Sequence, residues 1–444
     1  MTVDRRQIFQ IAWPIIISNL STPLLGLVDT AVIGNLGEAE LIGAIAIGGV
    51  IFSFLYWGFG FLRMGTTGLV AQAEGAGNFT ESTAAFYRAA LLGLSVAILL
   101  LATQTLLGSM AMSLINASPE VEAQALTYFQ IRIWGAPFSL THLAVMGYLL
   151  GTRQTRQLLL LQVILNGTNI ILDIVFVMIL EWGVAGAAAA TVVSEAIVIL
   201  VGLILVVTQL KKKGHWQVSL ALLLDAAALK NTVVVNRDIM IRTLCLIFAF
   251  AWFTNEGAKA GDVLLAANAI LMQFVSFAAF FLDGFALAAE SLVGNATGAR
   301  DSPAITRVLR YTSEAGLGTA LLLSLLFAVG GETAIGLLTN VDEVRRAADH
   351  YLIWAVLAPP LSVWCYLLDG AFIGATRTTE MRNAMIVSLM MFLLAWWLLT
   401  PLLGNHGLWL SLQVYFLARA ASLGFYLSRL TRFPAPLVAT GPET

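Results

Sequence analysis

The sequence predicts an all-α polytopic membrane protein of twelve transmembrane helices, arranged as two six-helix lobes related by a parallel pseudo-two-fold repeat. Three observations predict it. Of 444 residues, 59% are hydrophobic and only 11% charged, against about 25% charged in an ordinary soluble domain. The apolar runs are long enough to cross a bilayer, which takes about 20 residues each. The two halves also share a pattern at a fixed offset of 223 residues.

Short polar breaks divide the chain into spans at about 8–35, 40–72, 85–115, 122–151, 157–180, 184–209, 236–257, 263–297, 304–330, 346–374, 383–402 and 406–428. The first follows Arg5 and Arg6 but is too long for a signal-peptide core, so it reads as a retained span. The longest internal polar stretch carries Lys211, Lys212 and Lys213. It divides an N-terminal lobe, 1–209, from a C-terminal lobe with a short tail, 236–444, through a connector, 210–235. If the N-terminus is cytoplasmic, seventeen Lys and Arg fall on that side against three on the other. The positive-inside rule then puts both termini in the cytoplasm, for a multi-pass protein of the cell's inner (plasma) membrane.

The repeat pairs Glu74-Gly-Ala-Gly-Asn78 with Thr297-Gly-Ala-Arg-Asp301. It also pairs Tyr128 with Tyr351, Pro137 with Pro360, Gly147 with Gly370 and Gly151 with Gly374. Thr152-Arg153 then matches Thr376-Arg377 with one residue inserted. A six-span shift preserves orientation, so the halves are related by an axis along the membrane normal, and a cavity is expected between them. Such a cavity suits alternating access better than a fixed pore.

Within the spans, acids are the costly residues, at roughly 2.5–3.5 kcal/mol each at mid-bilayer. Asp29 lies in the first span, which is interrupted by Pro14 and Pro23. An acid that can gain or lose a proton, on a helix that can bend, is material for an ion-coupled switch. Local spacing favours Pro23 as the hinge. In the fifth span, Asn166, Asn169 and Asp173 share one helical face. In the sixth, Thr191 and Glu195 stand four apart. A polar seam gluing helices together is the plainer reading of this set, and an ion or proton site the sharper one. The C-terminal half offers Asp283, Glu290 and Asp369, either as cavity groups facing cationic cargo or as partners of Arg242 and Arg419. Arg63 and Arg132 read as internal counter-ions or as side chains snorkelling to an interface. Cys245 and Cys365 fall inside apolar runs and read as small core residues. No metal-ligand spacing, phosphate-binding loop or catalytic constellation appears, so neither an enzyme nor a direct ATP user is expected.

Several strings carry a family likeness: Thr22-Pro-Leu-Leu-Gly-Leu-Val-Asp-Thr-Ala-Val-Ile-Gly34, Phe61-Leu-Arg-Met-Gly-Thr-Thr-Gly68, Asn236-Arg-Asp-Ile-Met-Ile-Arg242, Leu282-Asp-Gly-Phe285 and Trp364-Cys-Tyr-Leu-Leu-Asp-Gly370. With twelve spans in two parallel lobes, the chain resembles the multidrug and toxic compound extrusion (MATE) family, in its branch named after DNA-damage-inducible protein F. The resemblance implies an antiporter in which the first-span acid, here Asp29, couples protons. It implies that Asn169, Asp173 and Thr191 complete the N-lobe site, and that Pro14 bends the first helix.

The expected activity is exchange of protons for amphipathic, often cationic organic compounds by alternating access, with protonation of Asp29 driving a change in the first helix. Sodium coupling through the oxygens of Asp29, Asn169, Asp173 and Thr191 is the nearest alternative. A lipid-intermediate flippase is the alternative of another class, and it requires an excess of arginine on the cavity wall. The acids Asp29, Asp173, Asp283 and Asp369, set against Arg63, Arg132, Arg242 and Arg419, favour cationic cargo instead. No cofactor is expected beyond the coupling proton or Na+. The expected partners are small molecules and the lipid bilayer, with no nucleic acid, and the chain is expected to act as a monomer.

Overall fold

Apolar runs closed off by helix caps build the molecule. Asn78, Asp225 and Asp301 each accept a backbone N–H three residues on, at 3.0, 2.7 and 2.9 Å, and so start the helices that follow them. The computed structural model describes residues 3–34, 39–113 and 118–432, with the side chains of 22–34, 39–40 and 42 outside that description.

Joined across short breaks, the helices form twelve rods. The first is Arg5–Gly34. The second is Ala39–Gly58 continued by Phe61–Gly75, and the third Phe79–Ala102 continued by Gln104–Ser113. The fourth runs Pro119–Arg132 and, after a 3-10 turn, Ala136–Gly151. The fifth is Thr155–Asp173 with a π-helical end, Ile174–Ile179, and the sixth Gly183–Lys213. The C-lobe rods are Ala226–Lys259, Asp262–Gly298, Ser302–Leu338, Asp342–Gly374, Thr378–Leu403 and Asn405–Phe425. Among the described residues ten of these are long and apolar enough to cross a membrane. The first and seventh, of 30 and 34 residues, complete the twelve.

Spans six and seven run into the expected connector from both sides, which leaves a short link holding the helix Leu220–Leu223. Local chemistry explains other departures from straight rods. Pro137 cannot donate to Ile133, and the 3-10 turn Ile133–Gly135 sits there. In the tenth span Pro360 frees the Val356 carbonyl, which accepts the Ser324 hydroxyl of the ninth at 2.6 Å.

The repeat holds to a closer register than the sequence suggests. Arg153 and Thr376 both have positive φ, at 63° and 50°. Gln154 N–H returns to the Leu149 carbonyl at 2.7 Å, as Arg377 N–H does to Phe372 at 2.9 Å. These pairs keep the offset of 223, so the inserted residue is a correction: Thr376 answers to Arg153, and the Thr-Arg likeness is a one-residue slip. Backbone conformation sets the register here, and side-chain identity misleads.

The same offset builds the contact between lobes. A methyl group at Gly75 would lie 1.9 Å from the Asn295 carbonyl oxygen, and one at Gly298 would lie 1.9 Å from that of Gln72. Gln72 Nε2 donates to the Gly374 carbonyl at 3.1 Å, while Asn295 Nδ2 donates to Gly151 at 3.1 Å. The Ser291 hydroxyl donates to the Leu150 carbonyl at 2.6 Å, and its counterpart Gly68 backs against Ile373, the counterpart of Leu150. Glycines bring the second and eighth spans backbone to backbone and close the lobes together on the side that holds Arg5 and the end of span twelve.

Candidate functional site

Between the lobes, beyond that closed seam, lies a cavity of about 690 Å³. It runs from Gly257 and Leu265, at the turn between the seventh and eighth spans, to Leu150 and Ile373 near the seam. Its volume is in the range that holds a drug-sized molecule. Aromatic and aliphatic side chains, among them Trp57, Phe253, Met272 and Phe280, form most of the wall.

Among the described residues six charged ones interrupt it: Arg63, Arg242, Asp283, Glu290, Asp369 and Arg419. Span two contributes Arg63, which reaches across the lobe boundary to Glu290 of span eight at 3.6 Å. Arg63 is therefore a counter-ion between lobes, not within the N-lobe. Asp369 accepts Arg419 Nη2 at 2.5 Å on the same oxygen that accepts Arg242 Nη2. Two guanidinium groups thus share one oxygen of the carboxylate, while its other oxygen, Oδ1, is buried without a partner among the described residues. Asp283 has no hydrogen bond and no contact ion pair among the described residues.

Among the described residues, three positive charges face three negative ones. The excess of arginine that a flippase requires does not line this cavity among the described residues; of the acids expected to favour cationic cargo, Asp283 and Asp369 line it, and the side chain of Asp29 lies outside the described residues. Arg132 contributes to neither side, because it lies in the N-lobe and not on this wall.

In the N-lobe the fifth-span face is polar and buried. Asn166 Nδ2 donates to the Ser21 hydroxyl at 2.9 Å and to its carbonyl at 3.3 Å, so the fifth span holds the first. Asn169 is buried, and its Nδ2 has no hydrogen-bond partner among the described residues. Asp173 is 4% exposed and ends the regular helix, with the π turn following at once. Such π turns are frequent at functional sites. The Thr191 hydroxyl donates to its own helix, at Ala187, at 3.0 Å. Spans one and five pack along each other. The side chains of Asp29 and Pro23 lie outside the described residues.

Glu195 parts company with this group. Its two oxygens accept Arg132 Nη1 and Nη2 at 2.8 and 2.5 Å, and the guanidinium also stacks on Phe52 and Tyr56 at 5.2 and 5.3 Å. It is one half of a buried structural ion pair, a correction to its place in the oxygen set. Neither Asn166 nor Glu195 lines the cavity between lobes, while Asp283, Asp369 and Arg63 do.

The first helix is continuous from Arg5 to Gly34, through both prolines. Its early turns lie against the C-lobe. Arg5 Nη2 pairs with Glu314 at 2.7 Å, Phe9 meets Phe285 edge-on at 5.8 Å, and Asn19 Nδ2 donates to the Phe280 carbonyl at 3.2 Å. Gly284, beside Asp283, has Ile16 where a methyl group would go, 2.3 Å away. Pro14, on this stretch of the helix, is buried. The spacing argument missed Asn19, since a lone Asn in an apolar run carries no pattern.

The MatE family profile matches residues 14–175 and 239–403, one stretch in each lobe. DNA damage-inducible protein F of Escherichia coli (strain K12) is 42% identical over 426 residues, covering 95% of this chain and 92% of that one. The probable multidrug resistance protein NorM of Rhizobium meliloti (strain 1021) is 24% identical, over 94% of this chain and 92% of its own. Among solved structures, the bent form of the Vibrio cholerae MATE transporter VcmN matches with a TM-score of 0.87 at 20% identity, over 96% of this chain and 97% of that one, a likeness of fold. Two lobes in register at one offset, a cavity between them and matches spanning both lobes agree: the chain belongs to the MatE family of multi-pass membrane transporters.

Proposed function

We propose that this chain is a secondary antiporter of the inner membrane that exports amphipathic organic compounds in exchange for protons. The observation that carries the reading is the cavity of about 690 Å³ between lobes that are sealed on one side. By the excess of Lys and Arg on that side, the seal faces the cytoplasm and the cavity belongs to an outward-facing state.

Asp29, with Asn169, Asp173 and Thr191, forms the coupling site. A proton entering it removes a charge from the interface of spans one and five. The first helix then bends near Pro14, and the cavity contracts. Cargo leaves, the lobes rock inward and the proton is released. Proton and cargo favour different states, and exchange follows by population shift. No cofactor takes part, and the chain works as a monomer.

Reconstitution in liposomes with an imposed pH gradient and a fluorescent amphipathic dye tests this. Gradient-driven dye movement that Asp29→Asn abolishes is the expected result. Undiminished exchange by Asp29→Asn would sink the proposal. Sodium is the second reading, because every member of the N-lobe set offers hard oxygen ligands. Dye movement driven by a sodium gradient at equal pH would move the assignment to sodium.

A further inference from the structure

Spans ten and twelve meet at the end of the molecule away from the closed seam, and two histidines join them there. His406 Nε2 lies 3.1 Å from His350 Nε2, while His406 Nδ1 takes the indole N–H of Trp354 at 2.9 Å. The ring of Tyr351 packs against both imidazoles, with centroids 4.8 and 4.6 Å away. His350 is exposed and His406 half-buried, so water reaches the pair. Neither histidine lines the cavity between the lobes.

An indole N–H only donates. His406 Nδ1 therefore accepts, the hydrogen of this neutral ring sits on Nε2, and it is given to His350 Nε2. Two neutral imidazoles hold two lone pairs between them, and both are occupied. An arriving proton finds no free nitrogen. It must displace His406 from His350, which leaves two N–H groups face to face, or displace Trp354 from His406. A bridging metal ion would need the lone pairs of both Nε2 atoms, and His406 cannot offer its own while Trp354 holds Nδ1. We propose that His350, His406 and Trp354 form a proton-sensitive latch between the outer ends of spans ten and twelve, closed when both imidazoles are neutral and opened by acid on the outer side. Histidine is the side chain whose ordinary charge change falls between about pH 5 and 8.

The same two spans are joined at two further levels. Gln413 Nε2 donates to the Trp354 carbonyl at 3.3 Å, and deeper in the lobe Asp369 accepts Arg419 at 2.5 Å. Opening the latch loosens the wall that carries those charges from its outer end, without a proton entering the N-lobe. Other charged groups stand near. On span ten, Arg346 precedes His350 by one turn, Asp349 adjoins it, and Arg345 lies 3.9 Å from Asp342. Span nine brings Glu332 into the surroundings of Asp349. Spans seven and eight end here with Glu256 bonded to Lys259 at 2.7 Å, and with Asp262. Span eleven has no charge beyond Arg382, and span twelve none before Arg419. A variant that removes the titrating imidazole and keeps its acceptor separates the latch from all of these.

Spin labels on cysteines at exposed Glu343 and Leu403, with Cys245 and Cys365 replaced by Ala, read the separation of the two outer ends in lipid nanodiscs. Between about pH 7.5 and about pH 5.5, the ratio of separated to joined molecules should rise about two- to twelvefold, the scale of one lost hydrogen bond. His350→Gln, whose amide oxygen accepts and does not titrate, should lose most of that rise. His350→Ala should show the separated distance at the higher pH already. One distance distribution at both pH values overturns the proposal without any further variant. So does an equal rise in His350→Gln, which would place the titrating group elsewhere. Added Ni2+ that raises the unfolding midpoint of wild type and not of His350→Ala would make the pair a metal site and overturn it too. No cargo is needed, so the latch stands or falls separately from the transport reading.

Discussion

The two lobes share a backbone and divide the chemistry. Gln72 and Asn295, Gly75 and Gly298, Gly151 and Gly374, and Arg153 and Thr376 stand at one offset and make matching contacts. The charges follow no such rule. The N-lobe buries Arg132 against Glu195 inside its own helices. The C-lobe turns Asp369, Arg242 and Arg419 toward the cavity. Duplication therefore preserved what lets the halves fit together, and left free what each half presents to a ligand. The fold of a two-lobe transporter is legible from the shared part, and its specificity resides in the unshared part.

The largest effect is expected where the lobes differ most. Asp369→Asn leaves two buried guanidinium groups without their carboxylate, and should cost about 3–5 kcal/mol or more of stability. Glu195→Gln strands one, and should fall at the lower end of that range. Unfolding midpoints in detergent rank the two; a harmless Asp369→Asn would mean that the C-lobe charges are solvated. Next come Gly75→Val and Gly298→Val, each forced onto a carbonyl of the opposite lobe. Overpacking of about 1–3 kcal/mol is expected from both, with loss of the sealed state seen as thiol access to a cysteine placed at Leu150. If one variant seals normally, the contact is not shared between the lobes as described. Gln72→Ala and Asn295→Ala should each cost about 0.5–1.5 kcal/mol, and a marked inequality would break the symmetry of the seam. The smallest effect falls at Arg300, whose φ of 54° matches that of its counterpart Gly77 at 71°. Arg300→Gly should stabilise by up to about 1 kcal/mol, because the left-handed region penalises a side chain.

Much of this fold is legible in the sequence because hydrophobic span length and the offset of Gly147 and Gly370 are local or strictly periodic signals. The site is legible only in part. Asp283 and Asp369 are conspicuous in apolar runs, and Arg242 and Arg419 are legible as candidate partners, but which acid the two arginines hold is not. Arg132 stands 63 residues from Glu195, and Arg242 stands 127 from Asp369. Partners so distant are brought together by helix packing, which spacing along one helix does not encode. The one-residue slip at Thr376 has the reverse cause: a persuasive side-chain match concealed the backbone geometry that fixes the register.

The first helix belongs to the N-lobe by sequence and to both lobes by bonding. Asn19 is fastened to the eighth span, and Ser21, two residues on, to the fifth. Lobe rotation cannot carry this helix along as a passenger of one side, since one of the two clasps must open first. If the Asn19 clasp yields, the helix travels with the fifth span; if the Ser21 clasp yields, it stays with the eighth. The order of opening decides which lobe keeps the helix, and Asn19→Ala should advance its separation from the eighth span while its hold on the fifth remains, a sequence that rapid-mixing fluorescence can resolve.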